Sequence, residues 1–93
     1  MFDYGPTARI IRTLGIVSGG GSDYIVDAAR AGADAFLTGE PVERVMALSR
    51  ELRITYIAAG HYATETFGIR ALGSHLSNRF DLRHVFLDVP NPI

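Results

Sequence analysis

Four short apolar runs, each followed by a glycine or proline turn, divide this chain of 93 residues into strand and helix segments. The runs span residues 10–17, 35–37, 54–58 and 84–89. They are nearly continuous, as is typical of strands that are covered on both faces of a parallel sheet. Helical periodicity predicts helices over about 24–31, 42–52 and 61–78. The order βαβαβαβ predicts one α/β domain over residues 1–93, with a mainly parallel sheet in a three-layer α/β/α arrangement.

The composition excludes several classes of protein. Hydrophobic residues make up 47% and charged residues 20%, which excludes intrinsic disorder. A net charge of −1 argues against a nucleic-acid-binding domain with a basic face. The chain has no cysteine, hence no disulfide framework, thiolate metal site or cysteine nucleophile. No apolar run approaches the ~20 residues of a membrane span, and the amino terminus lacks the apolar region of a signal peptide. We therefore expect a cytoplasmic protein.

Candidate site residues gather where the predicted strands end, because ligands of open parallel sheets bind beyond the carboxyl ends of the strands. The polar and glycine residues that follow the first three runs are Ser18, Gly19, Gly20, Gly21, Ser22, Thr38, Gly39, Glu40, Gly60, His61 and Glu65. The topology predicts that these residues share one edge of the domain.

The glycine loop after the first run is a candidate anion site, with Gly19, Gly20, Gly21, Ser22 and Thr38 as candidate substrate-binding residues. Backbone N–H groups at a helix start attract phosphate. The loop matches neither the dinucleotide fingerprint nor the P-loop. A tight strand-to-helix turn with positive φ remains the alternative. Ser22 is then expected to cap the helix, Gly32 to close it and Pro41 to begin the next one.

His61 and Glu65 are a candidate pair of metal ligands. At positions i and i+4 of a helix their Cβ atoms lie ~5–6 Å apart, so both side chains reach one ion. A hydrogen bond between them, or a contact with Arg70, is the alternative. His84 and Asp88 have the same spacing, but on a predicted strand they lie ~13 Å apart.

The helix that carries this pair also shows an apolar stripe, Ile69, Leu72 and Leu76, in register with Glu65. The stripe predicts that this face points to the core. Asp34 is expected on a solvated face, and His84 as a structural histidine. The tyrosines are expected in the core or at its rim.

Three segments, GGGSDYIVDAARAGADAFLTGE, AAGHYATETFGIRAL and FLDVPNP, occur in this order. Together they resemble the carboxyl-terminal half of the Nif-three-like dinuclear-metal-centre proteins, also labelled GTP cyclohydrolase type 2 homologues. The resemblance runs from about Phe2 to Pro92. It implies that His61 and Glu65 are ligands of a two-metal site, and that Glu40, in the same cleft, supports a ligand or transfers a proton.

The resemblance also implies a site with contributions from outside this sequence. The family's other ligands, a pair of adjacent histidines and an aspartate, belong to an amino-terminal half that this sequence does not contain. A separate amino-terminal chain or further copies of this chain would complete the site, and the family forms ring-shaped oligomers.

Three functions follow as hypotheses. The first is a metal-dependent hydrolase domain with two divalent ions, whether zinc, iron, manganese or magnesium, and a nucleotide or phosphoester substrate. The alternative is a non-catalytic module that forms oligomers or stores metal. A third is a metal-free nucleotide binder that uses the loop from Gly19 to Ser22.

Overall fold

Three parallel strands and one antiparallel edge strand form the single sheet of this domain. The computed structural model describes residues 2–5 and 10–93. The strands are β1 Phe2–Tyr4, β2 Leu14–Ile16, β3 Ala35–Thr38 and β4 Thr55–Ala58. The helices are α1 Ile25–Arg30, α2 Val45–Leu52 and α3 His61–Phe80, and a 3₁₀ turn, Ser22–Tyr24, leads into α1. The α/β class is confirmed, and so is the long helix predicted over 61–78.

The sheet has the order β1-β4-β3-β2, with β2, β3 and β4 parallel. Leu14 pairs with Ala35, which in turn pairs with Thr55, so the three strands end at one level. Strand β1 pairs antiparallel with β4, Asp3 opposite Ile57. The sequence analysis assigned no strand there, because a three-residue edge strand carries no periodicity that a pattern can detect.

One face of the sheet carries the core. Phe36 and Tyr56, on neighbouring strands, are buried with their ring centroids 5.9 Å apart. Ile25 from α1 and Val45 from α2 pack against them. These two helices therefore form one complete layer, as the alternating pattern predicts.

The other face is open within the described residues, so the predicted three-layer arrangement is only partly formed. Ile16 is 67% exposed, and none of the residues of α3 is buried. A groove of about 430 Å³ lies between the first turns of α3 and the sheet, with Leu37, Ala63 and Phe67 in its walls. The prediction that Ile69, Leu72 and Leu76 face a core is wrong for this chain, since all three are exposed.

The predicted fourth strand is also wrong. Residues 84–89, all of them described, form no strand. The segment 81–93, here called the return segment, instead runs back along α3. Arg70 lies 4.0 Å above the Phe86 ring, and the backbone N–H of Tyr62 donates to the Ile93 carbonyl at 2.7 Å. A strand requires a neighbouring strand edge, and α3 offers none.

The first predicted strand, 10–17, is shorter than expected. The strand itself covers only Leu14–Ile16. Before it, the Asp34 carboxylate, and not a neighbouring strand, accepts the backbone N–H groups of Arg12 and Thr13 at 2.9 and 3.0 Å. The assignment of Asp34 to a merely solvated face is therefore wrong.

The local start and stop signals had mixed outcomes. Gly32 ends the first helix with a φ of 83°, as predicted. Ser22 makes no capping hydrogen bond, and α2 begins at Val45 rather than at Pro41. Ser22 instead bonds the Glu40 carbonyl, and a turn closed by the Val45 N–H on the Val42 carbonyl separates Pro41 from α2. Among the described residues, no helix is long and apolar enough to cross a membrane.

Candidate metal centre

Backbone hydrogen bonds join the three turns that follow β2, β3 and β4. The N–H of Gly39 donates to the Gly19 carbonyl at 2.9 Å, and that of Gly60 donates to the Gly39 carbonyl at 3.0 Å. The carboxyl ends of the strands thus form one rigid edge, and the predicted juxtaposition of the glycine loop with Glu40 and His61 is observed.

Thr38 holds the glycine loop. Its buried hydroxyl donates to the Gly19 carbonyl at 3.0 Å and accepts the Gly21 N–H at 3.0 Å. Within the loop the Gly21 amide is therefore already bonded, and Gly19 has a φ of 69°. Substrate binding by this loop stays a prediction, while the tight turn with positive φ is present.

Two hydroxyls anchor the turn that carries Glu40. Ser22 Oγ donates to the Glu40 carbonyl at 2.9 Å, and Tyr56 Oη donates to the same carbonyl. The two hydroxyl oxygens also lie 2.8 Å apart, and because each hydroxyl has one proton, the one that donates to the other does not donate to the carbonyl at the same time. Burial raises the pKa of Tyr56, against the opposing effect of its hydrogen bond with Ser22, so the phenol stays protonated. The sequence gives no sign of this role of Tyr56, since an aromatic residue within an apolar run predicts only a position in the core.

His61, the first residue of α3, lies between two carboxylates. Its Nδ1 contacts a Glu40 carboxylate oxygen, and its Nε2 lies 2.9 Å from Glu65 Oε1. His61 is 37% exposed, Glu40 38% and Glu65 51%. The hydrogen bond that His61 Nδ1 donates to the Glu40 carboxylate raises the pKa of His61 above 6.5, and the Glu65 charge adds to this increase, while desolvation opposes it.

Glycines allow the backbone to approach this group closely. A Cβ on Gly19 would lie 3.0 Å from Glu65 Oε1 and 3.3 Å from His61 Nε2. A Cβ on Gly39 would lie 2.8 Å from the Cα of His61. A side chain at Gly19 would therefore occupy the space beside the His61–Glu65 pair, and a side chain at Gly39 would press on the backbone of α3.

A cavity of about 410 Å³ opens beside the pair. It is lined by Glu40, His61, Tyr62, Glu65, Asn91 and Ile93. Asn91 and Ile93 come from the return segment, where Asn91 Oδ1 accepts the Ile93 N–H at 3.0 Å. The sequence pattern predicts only a strand over 84–89 that ends at Pro90-Asn91-Pro92, and nothing in it places Asn91 and Ile93 at the site.

The donor set suits a divalent metal. The Nε2–Oε1 separation of 2.9 Å is that of a hydrogen bond, so the predicted alternative of a direct His61–Glu65 contact is present. Two ligand atoms that each lie ~2.0–2.2 Å from one ion are also about 3 Å apart, so the same pair has the spacing of two ligands. A carboxylate on the other imidazole nitrogen is the arrangement that orients metal-binding histidines. The described residues contain no cluster of three or more His, Cys, Asp or Glu that could hold a metal, so further donors are required.

The chain is similar to known proteins in sequence and in structure. The family model for Duf34/NIF3 (NGG1p interacting factor 3) matches residues 4–92. The chain belongs to this family. A Pseudomonas aeruginosa protein named GTP cyclohydrolase 1 type 2 homolog is 49% identical over 82 residues, which cover 88% of this chain and 32% of that protein. A Pasteurella multocida protein of the same name is 51% identical over 84 residues, which cover 90% of this chain and 34% of that protein.

Solved structures show the same fold. A structure described as protein ybgI, of unknown function, superposes with a TM-score of 0.92 and 42% identity over 99% of this chain and 38% of that one. TTHA1606 from Thermus thermophilus gives a TM-score of 0.75 and 39% identity over 90% of this chain and 37% of that chain. This chain thus spans about a third of the length of the curated relatives it matches.

Proposed function

We propose that this NIF3-family chain contributes His61 and Glu65 as ligands to a divalent metal centre of hydrolytic function. The observation that carries the proposal is the placement of His61 between Glu40 on Nδ1 and Glu65 beside Nε2. Glu40 orients the imidazole, and Glu65 supplies an oxygen on the same side of the cavity. A mixed nitrogen and oxygen donor set favours zinc, iron or manganese over magnesium.

Two protein donors are too few for a stable centre, which takes four or more ligands. The remaining ligands have to come from outside the described residues, either from the part of the family fold that this chain does not span or from another copy of this chain. Two ions in one centre are part of this proposal, because they are implied by the family resemblance.

When bound, such ions supply a nucleophilic water and polarise the scissile bond of a substrate. The residues of this chain then have distinct tasks. Glu40 contacts Nδ1 of His61 and would thereby leave Nε2 free to hold the ion, and its carboxylate would accept or return a proton at Nδ1. The Asn91–Ile93 end of the return segment forms one wall of the cavity and limits access. The relatives' name suggests nucleotides, with phosphoesters as the wider class.

Metal binding by matched variants tests the proposal. In a sample in which the part of the family fold that this chain does not span, or a second copy, completes the centre, we expect His61→Ala to weaken the binding of Zn²⁺ or Mn²⁺ at least tenfold by isothermal titration calorimetry. His75→Ala changes another, exposed histidine of the same helix and should bind like the wild type. Glu40→Gln should weaken binding by about 10–100-fold, as loss of a ligand-orienting carboxylate does. Equal binding by the wild type and His61→Ala contradicts the proposal.

Activity is the second test. The chain, reconstituted with its completing polypeptide and loaded with metal, should hydrolyse a nucleoside triphosphate or a model phosphoester, and His61→Ala should lose this activity. Stoichiometric metal without turnover on either substrate would favour the non-catalytic, metal-storing module instead.

A further inference from the structure

Glu40 is bound at both ends by one continuous stretch of chain. Strand β4 carries Tyr56, and helix α3, which follows it, begins with His61. Tyr56 Oη donates to the main-chain carbonyl of Glu40, and His61 Nδ1 contacts its side-chain carboxylate. The two contacts fix both the backbone and the carboxylate of Glu40 against the same segment, so the carboxylate has little freedom to leave the imidazole.

Tyr56 reaches Glu40 from inside the core. Its side chain is fully buried, and it packs beside Phe36, the residue opposite it on β3. A phenylalanine would fill this apolar site, whereas a buried hydroxyl costs free energy unless it is hydrogen-bonded. The hydroxyl of Tyr56 is bonded, to the Glu40 carbonyl and to Ser22 Oγ. What the hydroxyl adds to the packing of the ring is therefore a contact with the turn that carries Glu40.

The two hydroxyls are the donors that locate the Glu40 carbonyl. Before it, the peptide groups of Gly39 are bonded to the two neighbouring turns. After it comes Pro41, which has no N–H and restricts the backbone of the preceding residue. Within the described part of the chain, no backbone N–H donates to the Glu40 carbonyl. Loss of the Tyr56 hydroxyl would therefore loosen the backbone of Glu40 at its carboxyl side.

The position of Glu40 matters because two carboxylates compete for the single proton of a neutral imidazole. Glu40 contacts Nδ1 of His61, and Glu65 Oε1 lies 2.9 Å from Nε2. An imidazole nitrogen that carries a proton has no lone pair for a metal ion. Binding of an ion at Nε2 therefore requires that the proton stay on Nδ1, where the Glu40 carboxylate accepts its hydrogen bond.

We propose that Tyr56 is a positioning residue of the metal centre, whose buried hydroxyl fixes the Glu40 carbonyl and so keeps the Glu40 carboxylate on His61 Nδ1. Ser22 shares this task from the 3₁₀ turn, since its hydroxyl bonds both Tyr56 and the same carbonyl. The last step, an ion on Nε2, rests on the proposed function. The placement of the imidazole proton does not, because it depends only on residues of this chain.

NMR of the metal-free chain tests that placement. Histidine ring ¹⁵N spectra, recorded in EDTA at a pH where His61 is neutral, distinguish the Nδ1–H tautomer from the Nε2–H tautomer. We expect the Nδ1–H form to predominate in the wild type. In Tyr56→Phe the ratio of Nε2–H to Nδ1–H should increase by about 2–10-fold, which corresponds to the net contribution of one hydrogen bond.

Ile54→Val is the matched control. Ile54 is buried at the other end of β4 from His61, and removal of one methylene there destabilises the protein by about as much as the loss of a hydrogen bond. This variant should keep the wild-type ratio of tautomers. An unchanged ratio in Tyr56→Phe, or an equal change in Ile54→Val, overturns the proposal. Should Tyr56→Phe fail to fold, Ser22→Ala has to shift the ratio in the same direction, and no shift overturns the proposal.

Metal affinity tests the last step separately. In a sample in which the centre is completed, Tyr56→Phe should bind Zn²⁺ about tenfold more weakly than the wild type, at the lower end of the effect of losing a ligand-orienting carboxylate. Ile54→Val should bind like the wild type. Equal affinities of the wild type and Tyr56→Phe overturn the role of Tyr56 in metal binding. A wild type that binds no ion, together with the expected ring spectra, contradicts the proposed function and leaves the placement of the proton supported.

Discussion

Replacement of Gly39 by alanine tests the close packing of the turns beneath the candidate metal centre. An added Cβ would lie 2.7 Å from the Gly19 carbonyl oxygen and 2.8 Å from the Cα of His61, whereas ordinary contacts begin at 3.4 Å. Both neighbours are backbone atoms. Relief therefore requires that the glycine loop and the start of α3 move apart, which stretches the Gly39–Gly19 hydrogen bond of 2.9 Å.

Overpacking of this kind costs about 1–3 kcal/mol. For a domain of this size each kcal/mol lowers the unfolding temperature by about 4–8 °C, so we expect a decrease of about 5–20 °C for Gly39→Ala in thermal unfolding followed by circular dichroism. Gly20→Ala is the matched control, because its Cβ would meet only Glu40 Oε2, at an ordinary 3.7 Å. That control should change stability by less than about 1 kcal/mol.

The same variant should also lose metal affinity, because displacement of α3 separates His61 from Glu40. Equal unfolding temperatures for Gly39→Ala and Gly20→Ala would refute the close packing of the turns around Gly39. A stable Gly39→Ala that keeps wild-type metal affinity would show that the turns tolerate a side chain that their geometry excludes.

Three further results are expected. In an NMR titration, Glu40→Gln should lower the pKa of His61 toward 6.5 by more than Glu65→Gln does, because the hydrogen bond to Glu40 is the largest cause of the raised pKa. Equal effects of the two variants would contradict this order. Since the folded-state pKa of His61 is raised, its contribution to stability is fully present below pH ~6.5 and is lost as the pH rises through the folded-state value. The unfolding temperature measured without metal should follow that sign, and Glu40→Gln should flatten the dependence. Tyr56→Phe should reduce the free energy of unfolding by about 0.5–1.5 kcal/mol in urea, because the carbonyl of Glu40 loses one of its two hydroxyl donors; Ser22→Ala should cost a similar amount, and no change in either variant would contradict the anchoring.

The long helix and its first-turn pair were predictable from local signals. Gly60 interrupts an apolar run, and His61 and Glu65 then follow at the spacing of one helical turn. Helical geometry alone brings these side chains together, so the pair was identified before any tertiary contact was known. That their partner on the imidazole Nδ1 is Glu40 depends on how β3 and β4 align, because these residues are 21 positions apart.

The segments that were predicted wrongly share a physical cause. Residues 84–89 have the composition of a strand, and Ile69, Leu72 and Leu76 have the spacing of a core face. Both patterns describe surfaces that require a neighbour, and the described part of this chain supplies none. The sequence pattern therefore favours a strand and a buried helix face that the described residues of this chain do not form.

Other functional contacts left no sequence pattern at all. Ser22 follows glycines like a helix cap, yet its hydroxyl bonds the Glu40 carbonyl, because the 3₁₀ turn faces the end of β3. Asn91 and Ile93 reach the cavity only because the return segment runs along the whole of α3.

The amino-acid sequence by itself determined the α/β class, the helix α3 and the i, i+4 placement of His61 and Glu65, because these depend on hydrophobic periodicity and on contacts within a single turn. Only the tertiary structure decided that Glu40 supports the imidazole, that Thr38 and Tyr56 fix the surrounding turns, and that one face of the sheet and the return segment remain uncovered. These features depend on strand register and on contacts between distant residues, which no local pattern encodes.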